Sequence, residues 1–571
     1  LYAQTTAPSA SPPCWPAVDG LGRALPTPED VGPPHPDRFV GIFYFLTHND
    51  ASPRAGASEP GPHDITKILA RDPDALQHPK SPAWGAPGGE YYWGEPLYGY
   101  YLSTDPWVIR RHAQLLAAAG VDTLIFDTTN AVTYPEVYTK ICEEFTEVRK
   151  AGGRTPGIAF MVNTEAGKTA DQLYHDLYQP GRFRDLWFVW RGKPLLICDT
   201  AQASEPVKRF FTLRAAHWPF TLLNTPYAWH WESTYPQVYG YTEDPKVPEQ
   251  VNVAVAQNLR AADGRVTNMS RGDARGRSFH DGREDRTLGA VNHGYNFAEQ
   301  WRRALQLAPP FVMVTGWNEW TAGRFIGKNG TSVFVDQFDE EFSRDIEPMH
   351  GGHGDNYYYQ LVANVRRYKG AVPLPKASAP RTIDLTGSFD QWRDVGPSFR
   401  DEVDDTQPRE FPGASGLHYT NRSGRNDLIE MKVARDAVNV YFYARTAAPL
   451  TPRTAPHWMW LLLSTGQPGH PTWAAYDFIV NHTIDPDGTA WLEACEGGWH
   501  WKKVAKVELR VIGSELQLGI PRKLLNLPDT RAFHLDFKWA DNLQHPGDVM
   551  DFYHSGDVAP EGRFMYRYTA E

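Results

Sequence analysis

At 571 residues the chain is too long for one ordinary core, so two or three domains are expected. With 41% hydrophobic and 22% charged residues and a mean hydropathy of −0.50, it has a soluble, globular composition, and no apolar run approaches the ~20 residues of a membrane span. The net charge of −11 is spread without long single-sign blocks, which argues against non-specific binding to nucleic acid or anionic membranes.

Residues 1–37 are Pro-rich (SPPCWP, LPTPED, GPPHPD) and are expected to be irregular. The small Ala/Ser/Pro-rich start, LYAQTTAPSASPP, fits an exported protein, periplasmic or extracellular. From residue 38 strand-like and helix-like segments alternate. RFVGIFYFLTH (38–48) reads as a buried strand, and GGEYYWGEPLYGYYLST (88–104) as an insertion after it. DPWVIRRHAQLLAAAG (105–120) reads as a helix capped by Asp105, with Pro106 in its first turn and Gly120 at its end. VDTLIFDTTN (121–130) and TPGIAFMVNTEAG (155–167) are further strands, and LWFVWRGKPLLICDT (186–200) is a hairpin feeding a fourth. FTLLNTPYAW (220–229), VNVAVAQN (251–258) and FVMVTGWNEW (311–320) complete a set of seven.

Continuous apolar strands alternating with helices imply a parallel sheet with covered faces, and seven of them in about 280 residues fit a (β/α)8 barrel over residues 38–370. A Pro/Ala linker (371–380) then leads into short strands with period-two alternation, such as Val438, Val440 and Phe442. An antiparallel β-sandwich is expected over 381–571. Cys14, Cys142, Cys198 and Cys495 are too scattered for a disulfide framework or a CxxC metal site, and Cys142 and Cys198 read as buried thiols. No GxGxxG turn, P-loop or GxSxG elbow is present.

Barrel enzymes place their chemistry where the strands end. Here those ends carry His48; Asp127 and Asn130; Asn163 and Glu165; Asp199; Trp229, His230 and Glu232; Gln257; and finally Trp317, Asn318, Glu319 and Trp320. Each alone is an ordinary cap or loop anchor. Their recurrence at one relative place is the signal. Hydrolysis of a glycosidic bond needs two carboxyl groups, while Asn and Gln suit sugar hydroxyls and indoles suit pyranose faces. Tyr92 and Trp93 of the insertion would face the same end. Arg271, in the polar loop 268–285, suits an acidic sugar, or else pairs with its own loop's aspartates. The acidic stretch 333–361 lacks EF-hand and HExxH spacing, so no catalytic metal is indicated and it is expected to pack beneath the last helix.

TGWNEW, KPLLICD and LIFDTTN resemble the catalytic barrels of the glycoside hydrolase family 99 group and its bacterial relatives, over roughly residues 38–370. In that family an Asn-Glu-Trp-His-Glu run follows the strand, and its two glutamates carry catalysis. Asn318, Glu319 and Trp320 match its first three places, whereas Thr321 and Ala322 follow, so the carry-over reaches Glu319 only. The partner carboxylate is sought among Asp127, Glu165, Asp199 and Glu232, with Asp127 and Glu165 ranked first. IDLTGSFDQW, ARDAVNVYFYART and TWAAYDFIVN resemble the family 9 type of carbohydrate-binding module, and that resemblance implies a structural calcium near Asp401, Asp404 and Asp405. A glycoside hydrolase acting on a polysaccharide or glycan, with no required cofactor, is the leading expectation. A polysaccharide lyase acting on a uronate glycan and a non-catalytic carbohydrate-binding barrel are the alternatives.

Overall fold

The computed structural model describes residues 13–49, 61–84, 89–217, 225–528 and 532–570. Eight parallel strands form the first unit: β1 Phe39–Tyr44, β2 Thr123–Thr128, β3 Gly157–Val162, β4 Lys193–Ile197, β5 Thr212–His217, β6 Ala228–His230, β7 Gln250–Ala254 and β8 Phe311–Thr315. They pair in the order β6-β5-β4-β3-β2-β1-β8-β7, so chain neighbours lie side by side. The remaining seam, between β6 and β7, is bridged by a side chain. Gln250 Nε2 donates to the His230 carbonyl and its Oε1 accepts from the His230 N–H, both at 2.9 Å. The sheet thus nearly closes into a barrel.

Both faces of these strands are covered, which is why they read as unbroken apolar runs. Phe43, Ile125, Met161, Ile197, Trp229 and Phe311 fill the interior, while Val40, Leu124, Phe126 and Val312 pack outward. The outer layer holds α1 Pro106–Ala118, α2 Pro135–Lys150, α3 Ala166–Leu173, α4 Glu205–Phe210, α5 Tyr295–Leu307 and α6 Asn356–Lys369. Asp105 caps α1 as expected, accepting from Trp107 N and Val108 N, a cap of about 1 kcal/mol. Among the described residues no helix is long and apolar enough to cross a membrane.

Three sequence expectations shift. β5 is an additional strand, hidden in the sequence because it carries Arg214, whose guanidinium is paired inside the barrel with Glu249 at 2.6 Å. Of the strand expected at 220–229, β6 covers Ala228 and Trp229 and the described residues 225–227 lie outside it, while residues 220–224, Asn224 included, lie outside the described residues. The run 251–258 divides, β7 ending at Ala254 and Gln257–Arg260 turning away to pair with Ala274–Arg275.

The second unit is an eleven-stranded antiparallel sheet bent into two packed leaves. The long strand His500–Ile512 joins them, pairing with Ala490–Gly497 in one leaf and Glu515–Pro521 in the other. Val433, Phe442 and Leu518 of one leaf meet Leu461, Phe537 and Trp539 of the other. The buried stripe is Val440, Phe442 and Ala444, whereas Val438 lies exposed in the turn before it. The described part of the Pro-rich start is well packed, Trp15 lying 5.6 and 5.2 Å from the Phe399 and Tyr566 rings.

Candidate active site

Three carboxyl groups and one guanidinium meet at the C-terminal end of the barrel, with a fourth carboxyl group, Asp127, beside them. Glu319 follows β8 and Glu232 follows β6. Arg344 and Asp336 come from the long segment between β8 and α6. Arg344 Nη2 donates to Glu319 Oε2 at 2.9 Å and Nη1 lies 3.5 Å from Glu232 Oε2, with the guanidinium 4.8 Å over the Trp231 ring. One cation therefore spans both carboxylates. Asp336 lies in the same field, raising the pKa of Glu319, Glu232 and also Asp127. No hydrogen bond to the Asp336 carboxylate is present among the described residues.

Access differs among the four. The Glu319 side chain keeps 11% of its surface exposed and Asp336 is part-buried, whereas Glu232 and Asp127 are buried. Burial pushes Glu319 well above the ordinary carboxylate range, Arg344 opposing and Asp336 and Asp345 adding to it. Burial likewise raises Asp336, and pushes Glu232 up to about 7. Arg344 opposes each, most directly at Glu319, whose oxygen it touches. Gln337 Nε2 donates to that same oxygen. One cation among three carboxyl groups leaves an excess of negative charge in a buried place, which favours a proton on one of them.

Neighbouring groups fix Glu319. Its backbone N–H donates to Asp345 Oδ1, and Asp345 Oδ2 accepts from Trp93 Nε1 at 2.8 Å. Asn318 clamps the end of β1, accepting from Phe45 N at 2.9 Å and donating to Phe45 O at 3.2 Å. Trp320 Nε1 donates to Glu347 at 2.5 Å, and its ring stacks on Trp93 at 4.6 Å, a contact worth about 0.5–1.5 kcal/mol beyond burial. Among the described residues His48, buried at the end of β1, has neither ring nitrogen hydrogen-bonded, and burial pushes its pKa down to about 3.

The expected residues divide accordingly. Glu319, Asn318, Glu232 and Asp127 converge, and Asn258, next to Gln257, adjoins Glu232. Gln257 is buried with neither amide atom bonded among the described residues. Glu165, ranked high from sequence, is not brought to the cluster: its side chain is 55% exposed and paired with Lys168 at 2.8 Å. Asp199 caps its own loop, accepting from Ala201 N, and Asn130 and Asn163 lie exposed outside the cluster. Arg271 pairs at 3.8 Å with Asp273 of its own loop. Trp317, Trp320, Trp93 and Trp229 are buried in the core and Tyr92 packs on Tyr100 at 4.6 Å, so they offer no open ring face. His230 is likewise buried, against His217. Ala322 pairs with Tyr91 in a strand leading away from the site.

Asp336, Gln337, Arg344, Asp345 and Glu347 were not anticipated, because the acidic stretch 333–361 was expected to pack beneath the last helix. The available signal was its position: it connects β8 to α6 and so must cross the strand-end face.

The pKa shifts imply a pH dependence of stability. Glu232 keeps its proton to about pH 7 when folded but has an ordinary value of 4.5, and burial likewise raises Asp345 to about 7. Their contribution is complete below the unfolded values and lost as pH rises through about 7. His48 and His230, pushed by burial down to about 3 and 4, contribute in the opposite sense, losing stability only as pH falls below 6.5. The Tm is therefore expected to fall between about pH 6.5 and 8, and Glu232→Gln should flatten that fall. Thermal unfolding across this range is the check; an unchanged slope in the variant would refute the assignment.

A second acidic group lies in the C-terminal unit. Carboxylate oxygens of Asp401, Asp405 and Asp557 lie within 4.8 Å of one another. Among the described residues Asp401 Oδ2 and Asp405 Oδ1 lack hydrogen-bond partners, and burial raises all three pKa values, Asp405 to about 7. Asp404 stands apart with its carboxylate bonded to Gln407, so Asp557, distant in sequence, takes the place expected for it.

No family model and no curated protein matches the chain. Two solved structures of the GH99 endo-alpha-mannosidase from Bacteroides thetaiotaomicron, one in complex with Bis-Tris propane, are similar at 13% identity. The matches cover 58% and 59% of this chain and 97% and 99% of theirs, with TM-scores of 0.33 and 0.34. Likeness at this level identifies no family, so the chemistry must be derived from this chain's own residues.

Proposed function

We propose that the protein is a glycoside hydrolase with a (β/α)8 barrel, in which Glu319 and Asp336 are the paired carboxylates. The observation that carries this reading is the sharing of Arg344 by Glu319 and Glu232 with Asp336 in the same field. Glu319 has one oxygen held by Arg344 and Gln337, which orients and stabilises its anionic form as base or nucleophile. Burial raises the pKa of Asp336 and of Glu319 alike, so the acid role is given to Asp336 on geometry: its carboxylate is part-buried and bonded to neither Arg344 nor Gln337. Glu232, fully enclosed, acts through Arg344 by sharing its charge.

The reading is tested by incubating the protein with a panel of glycans and polysaccharides. New reducing ends without ultraviolet-absorbing products are expected. Unsaturated products would point to a lyase, and binding without products to a carbohydrate-binding barrel; either result overturns the proposal.

We also propose that Asp401, Asp405 and Asp557 hold a calcium ion, since the donors are all carboxylate oxygens. Calcium at about 100 times its Kd should stabilise the fold by about 2.7 kcal/mol. A chelator is expected to lower the Tm and added Ca²⁺ to restore it, whereas Asp557→Asn should respond to neither. A Tm indifferent to both in the unsubstituted protein refutes the site.

A further inference from the structure

The barrel's strand-end face is braced from outside by a hairpin of the C-terminal unit, Arg409–Pro412 paired with His418–Asn421. Arg409 is buried against the barrel. Its Nε donates to Asp105 Oδ2 at 2.8 Å and its Nη1 to the Tyr98 carbonyl at 2.9 Å. The guanidinium lies between the Trp107 and Tyr419 rings, 5.3 and 4.4 Å from their centroids. Tyr419 covers Gly99, where a Cβ would come within 2.5 Å of its ring and where φ is +74°. Tyr100 N donates to the Tyr419 hydroxyl and Ala414 N to the Tyr100 carbonyl, both at 2.8 Å. The 99–101 backbone is thus laid along the hairpin.

The inner side of that segment holds the site. Tyr101 donates to Glu347 at 2.8 Å and accepts from Asn318 Nδ2 at 3.4 Å. Glu347 also anchors Trp320, so both neighbours of Glu319 are tied to the segment the hairpin grips. Ser103 N donates to the His48 carbonyl at 2.7 Å, extending the tie to the end of β1. Docking of the two units has other anchors, including Arg111 to Glu561 at 2.9 Å and Arg563 to Asp355 at 2.6 Å. The Tyr419 hydroxyl is therefore not required to hold the units together.

We propose that Arg409 and Tyr419 of the C-terminal unit are positioning residues for the barrel's site, acting through Tyr100 and Tyr101 on the Asn318–Trp320 segment. The inference rests on Glu319 being a catalytic carboxylate. A shift of about 1 Å in such a group costs on the order of 10²-fold in rate, so a brace of this kind acts on kcat rather than on affinity.

The test uses the full chain carrying Tyr419→Phe, which removes one hydroxyl, and Arg409→Lys, which keeps the charge but loses the fork. Tyr443→Phe, whose hydroxyl bonds Glu515 within the C-terminal unit, is the control. Hydrogen–deuterium exchange is read over 97–103 and 315–320 without substrate, and kcat and KM on the substrate found in the panel. Faster exchange over both segments and a roughly tenfold loss of kcat with KM within about twofold are expected for Tyr419→Phe, and neither for the control. Arg409→Lys should act in the same direction. Exchange over 315–320 that matches the control in both variants overturns the inference. Coupled exchange in a protein that cleaves no glycan would instead reject the glycosidase reading and leave the brace standing.

Discussion

Glu319→Gln is expected to lower kcat on the true substrate by about 10²–10⁴-fold, the range for loss of a positioned acid–base group. The substitution keeps the side chain's shape and an oxygen able to accept from Arg344 and Gln337, which now bind the carboxylate. What it removes is the charge and the lone pair that attacks or takes a proton. KM should change little, because the loss falls on the transition state. Arg344 would retain Glu232 at 3.5 Å and Asp336 in the same field, so the variant should fold. Circular dichroism and thermal unfolding check that the lost rate is not lost structure.

Asp336→Asn is expected to cause a comparable loss on a natural glycan, but one that depends on the leaving group. An alkoxide leaving group needs a proton from the acid, whereas a dinitrophenolate does not. The variant should therefore keep most of its activity on an activated aryl glycoside and lose it on the glycan. Glu319→Gln should lose both. Because the Asp336 pKa is raised by burial, the wild-type rate on the glycan should fall as pH rises through that value, and the variant should lack this limb. Equal losses on both substrates would remove Asp336 from the acid role.

Much of the barrel was legible because a strand buried on both faces leaves a continuous apolar run, as in Ile42–Tyr44, Leu124–Phe126 and Val312–Val314. β5 was not, since Arg214 breaks the run and its compensation by Glu249 lies on another strand. Glu319 was legible for a local reason: it follows a buried strand directly. Its partner was not, because Asp336 and Arg344 lie in a long connection without periodicity, and only the closed fold brings them over the strand ends. The indoles misled for a physical reason. Trp93 and Trp320 find carboxylate acceptors for their N–H groups in Asp345 and Glu347, so they can be buried at no polar cost and become the floor of the site, not its walls. The acidic group of the C-terminal unit shows the same limit, with Asp401 and Asp405 on one short loop and Asp557 supplied from over 150 residues away.

In the proposed mechanism Glu319 and Asp336 work as a pair on a glycosidic bond. The most direct measurement is reducing-end release from the panel's best glycan by wild type, Glu319→Gln and Asp336→Asn at equal folded concentration, repeated on an activated aryl glycoside. Release by wild type, a large loss in both variants on the glycan, and recovery on the aryl glycoside in Asp336→Asn alone are expected. Near-normal turnover by Glu319→Gln on either substrate would contradict this mechanism.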